Sequence, residues 1–342
     1  MAMDANEILK RLATLHLELA NEIASEAGRC SSSELSAVAF DGEGDTIYFL
    51  DRIGEDRLID ALSDLAAKEP ILLVAEGISG GELVLPRGAD RDGVRWRIIM
   101  DPIDGTRGLM YQKRPAWILS AIAPERGEET RLSHIVAAVQ TEIPLHKQFC
   151  FDQIVGDAQG GLVSRRHVRR EYCDVIDVDP LSCSLKPSRA TGLEHGFAQI
   201  SRFIPGGRDI LASLDEELIE AVVGPPVAGK ALVFEDQYLS TGGQLYELMM
   251  GHDRFIADLR PLLAGPLAER GQAHSLCCKP YDLCTAVLAQ RAGVIISDAR
   301  GQKLDGPLDV RADLAWVGYA NASLRAKIEP VLISILSRRG LI

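Results

Sequence analysis

The chain has 342 residues, 46% of them hydrophobic and 25% charged, and its 49 acidic against 37 basic side chains give a formal net charge of -12. This composition excludes a disordered or fibrous chain, leaves room for two ordinary domains, and at this length buries roughly three quarters of the unfolded surface without a disulfide or metal staple. The acidic excess argues against a nucleic-acid partner, and it also opposes a small phosphorylated substrate unless a cation stands between them.

Seven cysteines, Cys30, Cys150, Cys173, Cys183, Cys277, Cys278 and Cys284, lack the regular spacing of a disulfide scaffold, so the chain reads as reduced and cytoplasmic. Residues 1–28 carry charges throughout and offer no apolar core followed by a small-residue cleavage site, so no signal peptide is expected. No apolar run approaches the ~20 residues that span a bilayer, and no membrane partner is expected.

In chain order, residues 5–27 place Ile8, Leu12, Leu15, Leu19 and Ile23 at helical intervals, which predicts an amphipathic opening helix. A second helix fits 55–67, with Leu58, Ile59, Leu62 and Leu65 as its stripe. Short apolar runs at 71–74 and 96–100 read as strands leading to Glu76 and Asp101. The runs 117–123 and 134–140 flank the polar stretch PERGEET and predict a hairpin. Gly and turn residues at 149–161 suggest a division into domains 1–150 and 151–342. In the second half, VDPLSCSLKPSRATG, VVGPPVAGK and RPLLAGPLAERGQ read as loops, and 244–251 as helix. Helices alternate with strands in both halves, which predicts a mixed α/β architecture.

The most informative stretch is WRIIMDPIDGTRGLMY at 96–111. A strand runs into Asp101, Pro102 fixes the backbone, Gly105 permits a tight turn, and Thr106 is placed to cap a short helix. Asp101, Asp104 and the Ile103 carbonyl offer oxygen-only ligation, which Mg²⁺ prefers. The N–H groups of Gly105 and Thr106 at a helix start face an anion. A lone Asp-Gly-Thr equally describes a capping turn; the full D-P-I-D-G-T string is more specific. It differs from the D-x-D-G-T of covalent-aspartate phosphatases, because its acids stand three apart with proline between them. Glu76 in LLVAEGISGGE ends a strand, which alone describes a surface acid. Asp282 in KPYDLCTAVLAQRAGVIISD stands at a helix start, which alone describes an N-cap.

Together these segments resemble the inositol monophosphatase and fructose-1,6-bisphosphatase superfamily of Mg²⁺-dependent, lithium-sensitive phosphomonoesterases. The likeness rests on Glu76, on 101–106, and on Tyr281-Asp282 with Arg291-Ala292-Gly293. GDTIYFLDRIGEDRLIDAL adds an Asp51 that precedes a helix, and LDGPLDVRADLAWVGYAN extends the likeness toward the end. The resemblance implies a sugar-phosphatase fold, a layered αβαβα sandwich of two domains. It implies one Mg²⁺ on Glu76, Asp101 and the Ile103 carbonyl, a second on Asp101, Asp104 and Asp282, and a third near Glu76 and Asp51. Like charges ~4 Å apart repel by roughly 4 kcal/mol at an effective dielectric of about 20, so such a cluster calls for cations. It further implies attack by a metal-activated water oriented by Glu76 and Thr106, with Asp104, Gly105 and Thr106 contacting the substrate, and a homodimer.

The implied substrate is a small phosphorylated polyol or sugar, inositol monophosphate first, with fructose-1,6-bisphosphate or a 3′-phosphonucleotide as alternatives within the superfamily. A catalytically silent metal- or phosphate-binding regulator is the alternative of another class. The chain departs from the usual pattern at Gly77, Arg107, Leu239 and Tyr281, and carries roughly fifteen to twenty extra residues before Tyr281, a length suited to a functional loop or lid. Arg165, Arg166, Arg169 and Arg170 read as a solvated basic face. His274, Cys277, Cys278 and Cys284 match no standard zinc spacing, and no zinc site is assigned to them.

Overall fold

A computed structural model describes residues 3–40, 47–157, 163–171, 174–181 and 185–342. The chain begins with helices α1 (Ala5–Arg29) and α2 (Ser32–Leu35), strands β1 (Val38–Phe40) and β2 (Ile47–Tyr48), and helix α3 (Phe49–Ala66). There follow β3 (Ile71–Ala75), β4 (Glu82–Leu85), β5 (Trp96–Asp104), α4 (Thr106–Met110), β6 (Ala116–Pro124), β7 (Ala137–Ile143), β8 (Cys150–Gly156), β9 (Val163–Glu171) and β10 (Asp174–Leu181). The rest comprises β11 (Gly196–Ile200), α5 (Arg208–Val223), β12 (Val233–Phe234), α6 (Thr241–Met250), β13 (Asp253–Asp258) and α7 (Ala264–Glu269). It closes with α8 (Ala286–Ala292), β14 (Ile295–Ser297), β15 (Trp316–Tyr319) and α9 (Ala322–Arg338).

The larger sheet runs β10-β9-β8-β7-β6-β5-β3-β4, with β3 and β5 parallel and its other neighbours antiparallel. Its strands alternate between two cores, as a period of two requires. Ile71, Leu73 and Ala75 join Ile98 and Met100 under α1 and α3, whereas Leu72, Val74, Ile99 and Leu119 face the other way. Helices α6 and α8 pack against that second face, and α6 also meets the smaller sheet, β12-β11-β13-β15-β14. Helices α5 and α9 cover its outer face. The result is the five-layer αβαβα sandwich expected above.

Helix α1 shows why the opening segment folds as it does. Asp4 caps it by accepting from the Glu7 N–H, and Ile8, Leu12, Leu19 and Ile23 are buried along its stripe, each contributing about 1.5–3 kcal/mol. The polar exception is His16, whose ring bridges Ser120 Oγ at 2.7 Å and Thr141 Oγ1 at 3.2 Å on β6 and β7. Complete burial pushes its pKa down to about 3, so it sits there neutral.

Several boundaries differ from the sequence reading. Helix α3 starts at Phe49, so Asp51 lies within its first turn rather than ahead of it. Strand β7 begins at Ala137, after a 3₁₀ turn at Leu132–His134, and pairs with β6 as a hairpin from Ile122 opposite Ala137. The SRRHVRRE segment is strand β9, so the first sheet continues past residue 150 to Leu181, and the second begins only at Gly196. The extra residues before Tyr281 include a 3₁₀ turn at Arg260–Leu263 and helix α7. Pro261 and Pro266 lie in first turns, where a missing N–H costs nothing, and Leu263 and Leu267 supply a buried i,i+4 pair.

Candidate active site

Strand β5 does not stop at Asp101; it carries the whole D-P-I-D segment. Asp101 lies opposite Leu119 and Asp104 opposite Trp117, so three steps on β5 match two on β6. In a regular strand, residues three apart face opposite sides of the sheet. The extra residue of this bulge removes the inversion and turns both acids to one side. Carboxylate oxygens of Asp101, Asp104 and Asp282 lie within 4.8 Å of one another.

Local hydrogen bonds fix each member. The Ile103 N–H donates to Asp101 Oδ1 at 2.9 Å, and the Thr106 hydroxyl donates back to the Ile103 carbonyl at 2.8 Å. Gly105, at φ +99°, occupies the N-cap position of α4, so the turn needs glycine and Thr106 does not cap it. Asp104 is gripped by the start of α6: Ser240 Oγ donates at 2.8 Å, and the N–H groups of Thr241 and Gly242 at 3.3 and 2.6 Å. Asp282 accepts from the Lys279 N–H at 2.6 Å, and helix α8 starts only at Ala286, so Asp282 is no helix cap.

Glu76 follows β3, beside β5, and accepts a hydrogen bond from Tyr281. It shares one pocket with the three aspartates, Gly105, Thr106, Tyr48, Arg107, Phe203, Leu239 and Cys277. The side chain of Asp51 lies outside the described residues.

Burial raises the Asp101 carboxyl well above the usual range, and the charges of Asp104, Asp282 and Glu76 raise it further. Asp282 is raised by desolvation and then by Asp104. Burial lifts Asp104 to about 6 even though the Gly242, Ser240 and Thr241 hydrogen bonds hold it down. The three crowded carboxyls are raised together, Asp282 in spite of the Arg260 charge, and an all-oxygen donor set of this kind fits Mg²⁺. The Ile103 carbonyl retains a second lone pair beyond the Thr106 bond.

Sequence reasoning missed the parts that arrive from afar. Gln140 on β7 is fully buried; its Nε2 donates to the Gly242 carbonyl at 2.7 Å, and its Oε1 accepts from Thr285 Oγ1 at 2.9 Å. It thus ties the turn holding Asp104 to the segment carrying Asp282. Gly242 has its own constraint, because an added Cβ meets Leu119 Cδ2 at 2.6 Å and Asp104 Oδ2 at 3.0 Å. The S-T-G-G string carried a capping signal for Ser240, which accepts from the Gly243 N–H. Nothing local marked Gln140.

No protein-family model and no curated protein matches the sequence. Solved structures do. The extragenic suppressor protein SuhB from Bartonella henselae is 14% identical over 95% of this chain and 98% of its own, with a TM-score of 0.59. Fructose-1,6-bisphosphatase from Leishmania major is 10% identical over 96% and 93%, with a TM-score of 0.65. An IMPase from Thermotoga maritima is 14% identical over 94% and 98%, with a TM-score of 0.52. The chain shares the fold of these solved structures. Among the described residues no helix is long and apolar enough to cross a membrane.

Proposed function

We propose that the chain is a Mg²⁺-dependent phosphomonoesterase acting on a small phosphorylated polyol or sugar, with inositol monophosphate as the first candidate. The observation that carries this reading is the bulge in β5, which gathers Asp101 and Asp104 with Asp282 beside the Gly105–Thr106 turn. Glu76, Asp101 and the Ile103 carbonyl would hold one cation, and Asp101, Asp104 and Asp282 a second. Bound there, Mg²⁺ supplies charge neutralisation and lowers the pKa of water.

The chain's own groups do the rest. The Glu76 carboxylate and the Thr106 oxygen accept hydrogen bonds from the attacking water and aim it in line with the phosphorus, while the Gly105 and Thr106 N–H groups hold phosphate oxygens. Asp104 is kept aimed by the start of α6. Among the described residues, the carboxylates that line the pocket, Glu76, Asp101, Asp104 and Asp282, are all assigned to cation binding, and no phosphoenzyme is expected.

A phosphate-release screen over inositol, sugar, bisphosphorylated sugar and 3′-phosphonucleotide esters, with Mg²⁺ and with or without lithium, tests the reading. Turnover of one class identifies the substrate. Mg²⁺ binding without turnover of any ester supports the regulator instead.

A further inference from the structure

A second cluster of ligand-type side chains lies beside the acid centre and is not part of it. His274 and Cys277, on the segment before Tyr281, meet Asp313 from the loop preceding β15, and one ligand atom from each lies within 4.8 Å of the other two. Cys278 and Cys284 are not members: Cys278 Sγ lies 3.6 Å from Thr241 Oγ1, and Cys284 is buried near the three aspartates.

The geometry suits a small tetrahedral cation. With Zn–S about 2.3 Å and Zn–N about 2.0 Å, tetrahedral ligation separates sulfur from nitrogen by about 3.5 Å. Cys277 Sγ lies 4.0 Å from His274 Nδ1, within about 0.5 Å of that separation, and 3.5 Å from Nε2, which is turned to the Arg260 carbonyl. The Arg260 carbonyl, 2.9 Å from Nε2, accepts a hydrogen bond from that N–H, which leaves the lone pair on Nδ1. A ligating histidine is oriented in this way by an outer carbonyl, so Nδ1 is the ligand atom. Asp313 Oδ1 accepts from Lys279 Nζ at 2.6 Å, which orients the carboxylate similarly. The Arg260 guanidinium is closed onto Asp258, with contacts of 2.9 and 2.5 Å, so its charge is already met.

We propose that His274, Cys277 and Asp313 form a binding site for a thiophilic divalent cation of the Zn²⁺ class on the wall of the acid pocket. Mixed sulfur, nitrogen and oxygen donors select such a cation, whereas the all-oxygen centre beside them selects Mg²⁺. Metal-free, burial and the Asp313 charge push the Cys277 thiol up to about 12; a cation between sulfur and carboxylate reverses that charge balance. Binding breaks the S–H bond and releases one proton to solvent as the metal–sulfur bond forms. Three protein ligands leave the fourth position open. Cys277 lines the same pocket as Asp282, so an occupied site adds positive charge to the wall of that pocket.

Cobalt(II) reports this site without reference to turnover. Titrated into the full chain in excess Mg²⁺, it is expected to give a thiolate-to-cobalt charge-transfer band and tetrahedral visible absorption that saturate at one equivalent and are abolished by Zn²⁺. The band persists in Asp101→Asn, vanishes in Cys277→Ser, and needs at least tenfold more cobalt in His274→Gln. Absence of a thiolate band in the wild-type chain, its survival in Cys277→Ser, or its loss in Asp101→Asn overturns the proposal. If Cys277→Ser does not fold, the wild-type titration and His274→Gln decide between the same outcomes.

Discussion

Replacing Asp101 by asparagine should make the metal-free chain more stable and the Mg²⁺-treated chain less so. Carboxylates up to 4.8 Å apart repel by at least about 3.5 kcal/mol per fully ionised pair at an effective dielectric of about 20, and Asp101 belongs to two such pairs. Protonation relieves most of this, so the net gain is smaller. The rise of Asp104 from 3.8 to about 6 corresponds to about 3 kcal/mol at neutral pH, part of it due to burial rather than to neighbours. Asparagine keeps an acceptor for the Ile103 N–H. We therefore expect Asp101→Asn to gain about 1–3 kcal/mol in EDTA. A ligand at a hundred times its Kd stabilises the native state by about 2.7 kcal/mol, and the variant forfeits most of that with Mg²⁺. Thermal unfolding in EDTA and in Mg²⁺ reads both effects. A variant less stable than wild type in EDTA, or equally stabilised by Mg²⁺, refutes the reasoning.

The same cluster sets a pH trend. The folded Asp104 holds a proton that the unfolded chain has lost, so metal-free stability should fall as pH rises from about 4 to about 6, and Mg²⁺ should remove that slope in urea unfolding. His16 acts in the opposite sense: its folded pKa of about 3 lies below the unfolded value of about 6.5, so falling pH costs stability between those limits, about 2 kcal/mol at pH 5. His16→Gln should lose that increment in Mg²⁺, and an unchanged pH profile counts against a neutral buried ring. Gly242→Ala drives a methyl against Leu119 and Asp104, so titration should show at least tenfold weaker Mg²⁺ binding. Gln140→Leu leaves the Gly242 carbonyl and the Thr285 hydroxyl without their buried partner, costing about 2–4 kcal/mol of stability and weakening Mg²⁺ binding; a stability loss with unaltered Mg²⁺ affinity would show that Gln140 only supports the fold.

How much of this was legible in the sequence depends on range. Helix α1, the β6–β7 hairpin and the α8 stop at Gly293 follow from local periodicity and turn chemistry, and all three could be read directly. D-P-I-D-G-T marked the site, but the spacing of Asp101 and Asp104 could not reveal how they come to share a side. That depends on β6, because the bulge exists only relative to a partner strand. Proline and glycine in RPLLAGPLAERGQ suggested a loop, whereas prolines in first turns left the helical stripe of Leu263 and Leu267 intact. The continuation of the first sheet past residue 150 could not be read, because β8, β9 and β10 extend an antiparallel sheet through segments rich in charge and turn residues. Gln140 and Asp313 gave no signal, since each acquires its role from residues far along the chain.

The central claim is that Asp101, Asp104 and Asp282 form a hydrolytic cation centre. Mg²⁺-dependent phosphate release by the wild type, Asp101→Asn and Asp282→Asn tests it most directly, using whichever ester the wild type turns over. Each substitution should lower kcat/KM by at least a hundredfold, equivalent to about 2.7 kcal/mol of transition-state stabilisation. Turnover that both substitutions leave unaltered would contradict the account.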